Sequence, residues 1–597
     1  MAIRAGVDTG GTFTDVVLWN GASFSTRKVR STPDDPSRAI LEGLAGLDVE
    51  EVVHGSTVAT NAILERRGAK TAFLTTEGFV DLLLIGRQNR RELYNLTPDR
   101  IEPLVPRDWT IGVPERMLYD GSVEVPLERE TAQLIAEQVR SMGAESVAIC
   151  LLHAYANGDH ERILAEELGG IFVSASHEIL PEYREFERAS TTAVNAYVSP
   201  VMSRYLCNLR EALGRTRLRV FQSNGGSISA EFAGRDAIQT VLSGPAGGVL
   251  GAAAVARATG FERIISFDMG GTSTDVSLYD GQLSFTSETV LADLPIRVPM
   301  LDVHSVGAGG GSIAYLDAAG ALRVGPRSAG ANPGPVCYGE GSEITVTDAN
   351  VLLGRIDTKR FLGGRMELDV ERARFEMRAL AERAGVSPDR LAEAIVDVAN
   401  SNMERAIRKV SIERGRDPRD FALLSFGGAG AQHACALASR LDIRTVIVPA
   451  HAGVLSAVGM LAADCVRDYS VSVLGRDAEA AYSGLEAQAG REFAEQGYDE
   501  VIFERSIDLR YRGQSFEITV PWAERKEFDA AHRKLYGYDH TGREVEAVTA
   551  RVRAIAPLDK IDVIAPSERQ SFSSLYVPPG WNEREDNAGN TILTKRN

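Results

Sequence analysis

"DTGGTFTDVVL", from Asp8 to Leu18, recurs almost unchanged as "DMGGTSTDVSL", from Asp268 to Leu278. Eight of the eleven positions carry the same residue in both copies. Each copy lies between apolar extended segments and is followed by a turn dipeptide, Asn20-Gly21 or Asp280-Gly281. The pattern predicts a β-hairpin with a glycine turn rather than the strand-to-helix turn of a Rossmann or P-loop site. A duplication at this distance predicts two related α/β halves.

The residue types in the repeat suit the binding of a polyphosphate. Glycines let backbone N–H groups converge on an anion without obstruction, and threonine hydroxyls add further donors. Aspartates at strand ends would repel a bare phosphate, so they fit a Mg²⁺ ion between the carboxylates and the phosphates. We therefore expect Asp8 and Asp268 to be metal-binding and catalytic residues. The nucleotide-binding residues predicted from the two copies are Gly10, Gly11, Thr12, Thr14, Gly270, Gly271 and Thr272.

A third glycine-rich segment, Gly427-Gly428-Ala429-Gly430, follows a predicted buried strand. Its backbone offers a flat surface for a nucleoside, so we expect Gly427, Gly428 and Gly430 to bind the adenosine part of a nucleotide. A single pair of glycines after an aspartate is most often only a turn. Two near copies together with a third glycine loop favour a nucleotide site.

Length and composition limit the class of protein. The chain has 597 residues, which predicts several domains, and we place them at 1–190, 191–468 and 469–597, the last an α+β region. A net charge of -17 argues against nucleic acid or an anionic membrane as a partner, and no apolar run is long enough for a membrane span. The five cysteines are far apart, which is typical of reduced thiols in a cytoplasmic protein. The GxxxxGK[ST] motif and the GxSxG motif are absent.

The three glycine motifs resemble the phosphate and adenosine motifs of the actin-like ATPase superfamily. More narrowly, the chain resembles the hydantoinase A / 5-oxoprolinase family. The resemblance rests on stretches that run in order along most of Arg4 to Asp468, among them "HGSTVATNAILERRGAK", "LSGPAGGV", "SVGAGGGSIA", "VGPRSAGANPGPVCYG" and "FGGAGAQHACALA". It implies an α/β fold with duplicated actin-like (ribonuclease H-like) ATPase lobes and a smaller C-terminal α+β region.

The resemblance also implies a function. Members of the family use ATP and Mg²⁺ to open a cyclic amide such as a hydantoin, 5-oxoproline or a lactam, or to carboxylate a ketone. The first reaction is the leading interpretation, with this chain as the ATP-binding subunit and a B-type subunit as its partner. Ketone carboxylation is the alternative. A non-enzymatic actin-like ATPase fits less well, because "HGSTVATN" and "PGPVCYG" have no part in it.

Other polar residues in the matching stretches are candidates for the reaction. His54 follows a predicted strand and would face the substrate carbonyl or a metal as a catalytic residue, with Thr57 and Asn61 near the substrate; the alternative is a loop cap. Asp302 and His304 alternate along a strand and therefore point the same way. They would bind metal or substrate, Asp302 as a catalytic and His304 as a substrate-binding residue, or they form a buried hydrogen-bonded pair.

Overall fold

The computed structural model describes residues 3–32, 34–89, 94–97, 102–359, 361, 366–522, 525–540, 542–566 and 574–596. The strands are β1 (Ile3–Thr9), β2 (Phe13–Trp19), β3 (Phe24–Arg30), β4 (Val49–Gly55), β5 (Thr71–Thr76), β6 (Thr110–Val113), β7 (Arg116–Met117), β8 (Val123–Val125), β9 (Ser146–Cys150), β10 (Phe172–Ala175), β11 (Arg217–Phe221), β12 (Ser227–Ser229), β13 (Arg263–Met269), β14 (Thr274–Asp280), β15 (Phe285–Thr286), β16 (Thr289–Leu291), β17 (Leu294–Ile296), β18 (Met300–Leu301), β19 (His304–Val306), β20 (Ser312–Leu316), β21 (Leu322–Ser328), β22 (Ala422–Phe426), β23 (Thr445–Val448), β24 (Cys465–Ser472), β25 (Ile502–Tyr511), β26 (Ile518–Pro521), β27 (Val545–Ala556), β28 (Trp581–Glu585) and β29 (Thr591–Lys595).

The α-helices are α1 (Pro36–Leu44), α2 (Val58–Leu64), α3 (Leu82–Ile85), α4 (Arg129–Ser141), α5 (Asp159–Glu167), α6 (Ser176–Ile179), α7 (Glu185–Leu213), α8 (Ala230–Arg235), α9 (Ser243–Ala258), α10 (Val346–Leu352), α11 (Val370–Ala384), α12 (Pro388–Val410), α13 (Gly430–Arg440), α14 (Leu455–Leu461), α15 (Ala478–Glu495) and α16 (Arg525–Tyr536). None of those in the described ranges is both long enough and apolar enough to cross a membrane.

Two large sheets repeat one arrangement of five strands. In the first sheet the order is β3-β2-β1-β4-β11, and in the second it is β19-β14-β13-β22-β23. In both, the first three strands are antiparallel neighbours and the remaining pairings are parallel. Each copy of the repeated sequence forms the central hairpin of its sheet. The α/β fold class and its duplication, predicted from the repeat, are therefore confirmed.

The C-terminal strands continue the two large sheets. The first sheet continues through β12 to β24, β27, β25 and β26, and the second adds β29 and β28 beside β23. A boundary after residue 190 would cut α7, a continuous helix from Glu185 to Leu213. The strand pairings thus do not follow the predicted boundaries after 190 and 468, because strands far apart in sequence share one sheet.

Helices α9 and α14 lie between the two sheets and pack against each other. The first half of α9, with Ala246 and Val249, belongs to the apolar cluster of β2, β4 and β11. In its second half, Ala252, Ala253, Val255 and Ala256 pack in the core of the second sheet. The two halves of the molecule are therefore joined by packed apolar helices, and the two repeated hairpins lie beside this junction.

A chain of buried ion pairs ties the C-terminal strands to the start of α7. Glu517 accepts hydrogen bonds from Arg184 Nη2 at 2.7 Å and from Arg297 Nη2 at 2.9 Å. Arg297 Nε lies 2.8 Å from Glu182 Oε2, and Arg551 Nη1 lies 2.8 Å from Glu182 Oε1. Removing one member would leave its partners charged and unpaired away from water, which is costly.

Glu517→Gln is expected to lower the thermal midpoint at pH 7 by several degrees. Burial would raise the pKa of Glu517, but the hydrogen bonds and charges of Arg184 and Arg297 outweigh it and bring the pKa to about 2. A carboxyl group with a lowered folded-state pKa stabilises the protein above its unfolded pKa, and this contribution is lost as the pH falls toward 2. The difference between wild type and variant should therefore narrow below the ordinary glutamate pKa of 4.5.

Thermal unfolding at pH 7, 5, 4 and 3 measures this difference. Glu544→Gln is the matched control, because the ion pair of Glu544 with Arg512 is exposed on both sides and is expected to contribute little. An equal shift in both variants, or one independent of pH, would contradict a stabilising role for Glu517.

Candidate functional site

The first repeated hairpin presents a row of charged side chains on one face of its sheet. The strand register pairs Asp8 with Asp15, and Asp15 with Lys28 on the next strand. Lys28 Nζ donates to Asp15 Oδ1 at 2.5 Å. Lys28 therefore neutralises the outer carboxylate, while Asp8 stands at the end of β1 beside the glycine turn.

The second hairpin presents the corresponding row. Asp268 pairs with Asp275, which pairs in turn with Ser305 on β19. The Ser305 hydroxyl donates to Asp275 Oδ1. Serine takes the place that Lys28 has in the first row, so the second row carries two carboxylates and no cation of its own.

The two rows act on each other electrostatically. Burial, followed by the charge of Asp15, raises the pKa of Asp8 to about 7 against a smaller opposing effect of Lys28. Burial together with the charges of Asp275, Asp8 and Asp15 holds the pKa of Asp268 well above its ordinary value. The two rows therefore lie close enough to repel each other. The space between them, called the cleft below, is rich in carboxylates, with Lys28 as the cation of the first row.

This charge balance fits a divalent cation bound together with an anion. Among the described residues, no group of three or more histidine, cysteine, aspartate or glutamate side chains is close enough to hold a metal by itself. Mg²⁺ keeps several waters and is commonly held by one or two carboxylates plus substrate phosphates. Asp8 and Asp268 match that kind of site, so their assignment as metal-binding residues stays a prediction with a physical basis.

The glycine turns of both hairpins border the cleft. Gly10 and Gly270 close the turns by donating to Phe13 O at 3.0 Å and to Ser273 O at 3.1 Å. Gly11, Gly271 and Thr272 are exposed, and Thr12 is half-buried. The two turns therefore offer accessible backbone and hydroxyl donors at equivalent places.

The third glycine segment contacts the second hairpin directly. Gly427 has a φ of +81°, and a Cβ there would lie 2.3 Å from Asp268 Oδ1, so only glycine fits. The Ala429 N–H donates to Met269 O at 3.0 Å. Gly428 is exposed with open space around it, whereas Gly430 is buried against Ser425 at the start of α13. Of the three glycines, Gly428 is the one placed to face a ligand.

Thr14 is turned away from the cleft, contrary to its predicted role as a nucleotide contact. Its side chain is fully buried, and its hydroxyl lies 3.1 Å from the hydroxyl of Ser31 at the end of β3. It supports the hairpin from behind, because successive side chains of a strand point to opposite faces.

His54 lies on the opposite face of the first sheet from Asp8, so the structure does not support the predicted catalytic role. The register pairs Asp8 with Gly55 and places His54 beside Val7, one position earlier. His54 is fully buried, and its Nε2 is 2.8 Å from the Tyr205 hydroxyl on α7. Burial lowers the pKa of His54 to about 4. It is a neutral core histidine.

Asp302 and His304 do not share a strand, because Asp302 precedes β19, and His304 lies on the face of β19 opposite to Asp268. His304 pairs with Val276, whose neighbour Asp275 faces the cleft. Asp302 forms a two-pronged ion pair with the Arg414 guanidinium. The predicted catalytic role of Asp302 and substrate role of His304 are therefore not supported. Ser305, which follows His304 on β19, reaches the acidic row instead.

Thr57 and Asn61 are brought near the cleft. Thr57 directly precedes α2, and Asn61 Nδ2 donates to Thr57 Oγ1 at 3.4 Å. The preceding residue, Ser56, accepts a hydrogen bond through its carbonyl from Ser243 Oγ at 3.4 Å. A Cβ at Gly244 would lie 4.0 Å from Asp8 Oδ1. The end of β4 and the first turn of α9 thus border Asp8, and the substrate role of Thr57 and Asn61 stays a prediction.

Four residues of the two rows were not selected from the sequence: Asp15, Lys28, Asp275 and Ser305. Asp15 and Asp275 occupy the same position in the two copies, so the repeat itself held the signal. Ser305 carried no such signal, because only the pairing of β19 with β14 brings it to Asp275.

Family models match most of the chain. The model described as hydantoinase/oxoprolinase matches residues 188–469, and the model of the hydantoinase/oxoprolinase N-terminal region matches residues 4–171. Caprolactamase subunit alpha of Pseudomonas jessenii is 36% identical over 93% of this chain and 87% of its own length. 5-oxoprolinase of Saccharomyces cerevisiae is 33% identical over 93% of this chain, which spans only 49% of that protein.

Solved structures share the fold. The crystal structure of the ATP-dependent caprolactamase from Pseudomonas jessenii has a TM-score of 0.86 and 31% identity, covering 99% of this chain and 100% of the other. A nucleotide-free structure of acetone carboxylase has a TM-score of 0.77 and 26% identity, covering 99% of each chain. Both similarities extend over both sheets and the C-terminal strands.

Proposed function

The chain belongs to the hydantoinase/oxoprolinase family, and from that premise we propose that it is the ATP-binding subunit of an ATP-dependent hydrolase acting on cyclic amides. The observation that carries the proposal is the pair of matched acidic rows, Asp8-Asp15 and Asp268-Asp275, set beside glycine turns. Such a cleft suits a polyphosphate with its cation. By their names, one relative is an ATP-dependent caprolactamase and another is a 5-oxoprolinase.

The chemistry explains why ATP is needed. An amide carbonyl is a poor electrophile, because nitrogen donates electron density to it. Transfer of the terminal phosphoryl group of ATP to the carbonyl oxygen releases ADP and leaves an O-phosphorylated amide, whose carbon water attacks more readily. The C–N bond of the ring then breaks, and the phosphoryl group leaves as inorganic phosphate. Phosphoryl transfer depends on positioning and on stabilisation of charge rather than on covalent catalysis by the protein.

The residues of the cleft suit these tasks. Asp8 and Asp268 would hold Mg²⁺ together with waters and the phosphates of the nucleotide. The ion when bound would offset the phosphate charge. The N–H groups of the two glycine turns would orient the phosphate chain. Gly428 would lie against the nucleoside. Thr57 and Asn61 would border the ring on the Asp8 side of the cleft.

A second subunit is part of the proposal. The caprolactamase relative is named as a subunit alpha, and this chain spans about half of the yeast 5-oxoprolinase. We infer that a B-type subunit supplies the part that the longer 5-oxoprolinase carries in one chain. Phosphorylation would take place here and hydrolysis in the partner.

The test is a substrate panel measured with and without the co-expressed partner. Caprolactam, 5-oxoproline, hydantoin and acetone with bicarbonate are each added with Mg²⁺ and ATP, and ADP and organic product are quantified. We expect a cyclic amide to stimulate ADP formation, and ring opening only when the partner is present. Full-rate ring opening by the single chain would contradict the proposal that hydrolysis takes place in the partner subunit.

Ketone carboxylation is the second candidate, favoured by the similarity to acetone carboxylase over 99% of the chain. The higher identity and TM-score of the caprolactamase structure favour the cyclic amide. Stimulation of ADP formation by acetone and bicarbonate, with no response to any cyclic amide, would decide for the carboxylase.

A further inference from the structure

In each repeated hairpin, a segment outside the hairpin donates hydrogen bonds to carbonyl groups of the glycine turn. In the first hairpin the Ser31 hydroxyl donates to Gly10 O at 2.6 Å. In the second, Gly310 N–H donates to Gly270 O at 3.0 Å and Gly311 N–H donates to Gly271 O at 2.7 Å. One serine and one three-glycine loop, Gly309 to Gly311, therefore occupy corresponding places in the two halves.

This support determines where the donors of the turns point. In a trans peptide the C=O and the following N–H point in opposite directions. Because the carbonyls of Gly10, Gly270 and Gly271 are held from behind, the N–H groups of Gly11, Gly271 and Thr272 point the other way. Those three residues are exposed, and within the described ranges their N–H groups have no protein acceptor.

The second threonine of each copy of the repeat, Thr14 or Thr274, forms a hydrogen bond to the segment that supports its turn. Thr14 Oγ1 is hydrogen-bonded to Ser31 Oγ, and Thr274 Oγ1 donates to Ala308 O at 2.5 Å, next to the glycine loop. Both threonines are fully buried. This shared hydrogen-bonding role explains why threonine recurs at the same position of the repeat. The segments that the two threonines contact, at Ser31 and at Ala308, are unrelated in sequence.

The glycine loop fits only because it lacks side chains. A Cβ at Gly309 would lie 2.7 Å from the backbone carbon and oxygen of Gly271. Thr347 holds the loop from its other side, donating through its N–H and its hydroxyl to Gly310 O at 2.7 and 2.9 Å. A side chain at position 309 would therefore push the second turn out of place.

We propose that Ser31 and the Gly309–Gly311 loop, fastened by Thr14 and Thr274, are positioning residues that aim the turn N–H groups at the phosphates of the nucleotide. The inference rests on the proposed function and deepens it. Loss of a supporting contact should weaken binding of the phosphate chain more than binding of the nucleoside. If these residues contributed only to the stability of the fold, their loss would weaken the binding of all nucleotides to the same extent.

The experiment compares Ser31→Ala, Thr274→Val and Gly309→Ala by competition of a non-hydrolysable ATP analogue, ADP and AMP against a fluorescent ATP analogue, with Mg²⁺. Ser31→Ala should weaken the ATP analogue roughly 5- to 10-fold, the value of one neutral hydrogen bond. Gly309→Ala should weaken it on the order of 100-fold, as for lost electrostatic donors. AMP should be affected least in every variant.

Controls separate the possible failures. Ser483→Ala removes a hydroxyl that donates to a backbone carbonyl on α15, and Gly490→Ala adds a methyl group in open space on that helix; both should bind like wild type. Failure of the wild-type protein to bind the ATP analogue would refute the proposed function. Binding by wild type with equal losses for ATP analogue and AMP, or with no loss in Ser31→Ala, would overturn this inference alone, whether or not Gly309→Ala folds.

Discussion

Asp268→Asn is expected to lower ATP turnover on the order of 100-fold or more while the protein remains folded, and Asp8→Asn is expected to do the same. Each carboxylate stands at the end of a strand beside its glycine turn, where it would anchor the cation that accompanies the phosphates. Asparagine keeps the shape but lacks the charge. Since four carboxylates share the cleft, removing one relieves repulsion, and the nucleotide-free variants should melt no lower than wild type.

ADP formation with Mg²⁺ and ATP measures the effect, with thermal unfolding as the check on folding. Asp397→Asn is the matched control, because Asp397 is exposed on α12 and pairs with Arg440 on α13 rather than with a residue of the acidic rows. Near wild-type turnover in both cleft variants would refute the assignment. A lowered melting temperature with lost turnover would indicate a structural role instead.

Gly427→Ala and Gly428→Val are neighbouring substitutions, but we expect them to have different effects. The first should lower both stability and turnover, and the second should lower only nucleotide affinity. An alanine at 427 meets Asp268 Oδ1 at 2.3 Å and Met269 O at 2.5 Å in a left-handed backbone conformation. The backbone conformation alone costs about 1–3 kcal/mol, and the clash displaces the Asp268 carboxylate. We expect lower stability and loss of turnover together.

Valine at 428 has open space around it and should leave the melting temperature near that of wild type. Its branched side chain would occupy the space proposed for the nucleoside, so the affinity for ATP, ADP and AMP should fall in parallel. Calorimetric titration and thermal unfolding of both variants distinguish the two effects. Unchanged nucleotide affinity in Gly428→Val would refute the adenosine role of this loop.

Much of the site could be predicted because its chemistry is local. A glycine turn between two strands, with an aspartate before it and another after it, places its donors and charges within one hairpin. The repeat therefore predicted the duplicated α/β fold, and it also contained Asp15 and Asp275, which complete the rows. Family resemblance extended this to the hydantoinase/oxoprolinase family, which the comparisons confirmed.

The predictions that failed concerned which face of a sheet a side chain occupies. His54 is one residue from Gly55, which pairs with Asp8, and that single step turns it toward α7 and Tyr205. His304 precedes Ser305, the residue that reaches the acidic row, and so lies on the other face of β19. Asp302 pairs with Arg414 before that strand begins. Alternation along a strand is readable from sequence, but the face that meets the other half of the molecule is not.

The sequence by itself determined the two hairpins, their donors and their acidic residues, because these depend on contacts within a few residues. Only the tertiary structure decided that the Thr14 hydroxyl is hydrogen-bonded to Ser31 rather than to a ligand. It also decided that the Gly309–Gly311 loop is hydrogen-bonded to the second turn and that strands β24 to β27 extend the first sheet. These contacts join segments tens to hundreds of residues apart, and they form because buried polar groups and sheet edges must find partners wherever the packing of the two halves brings them.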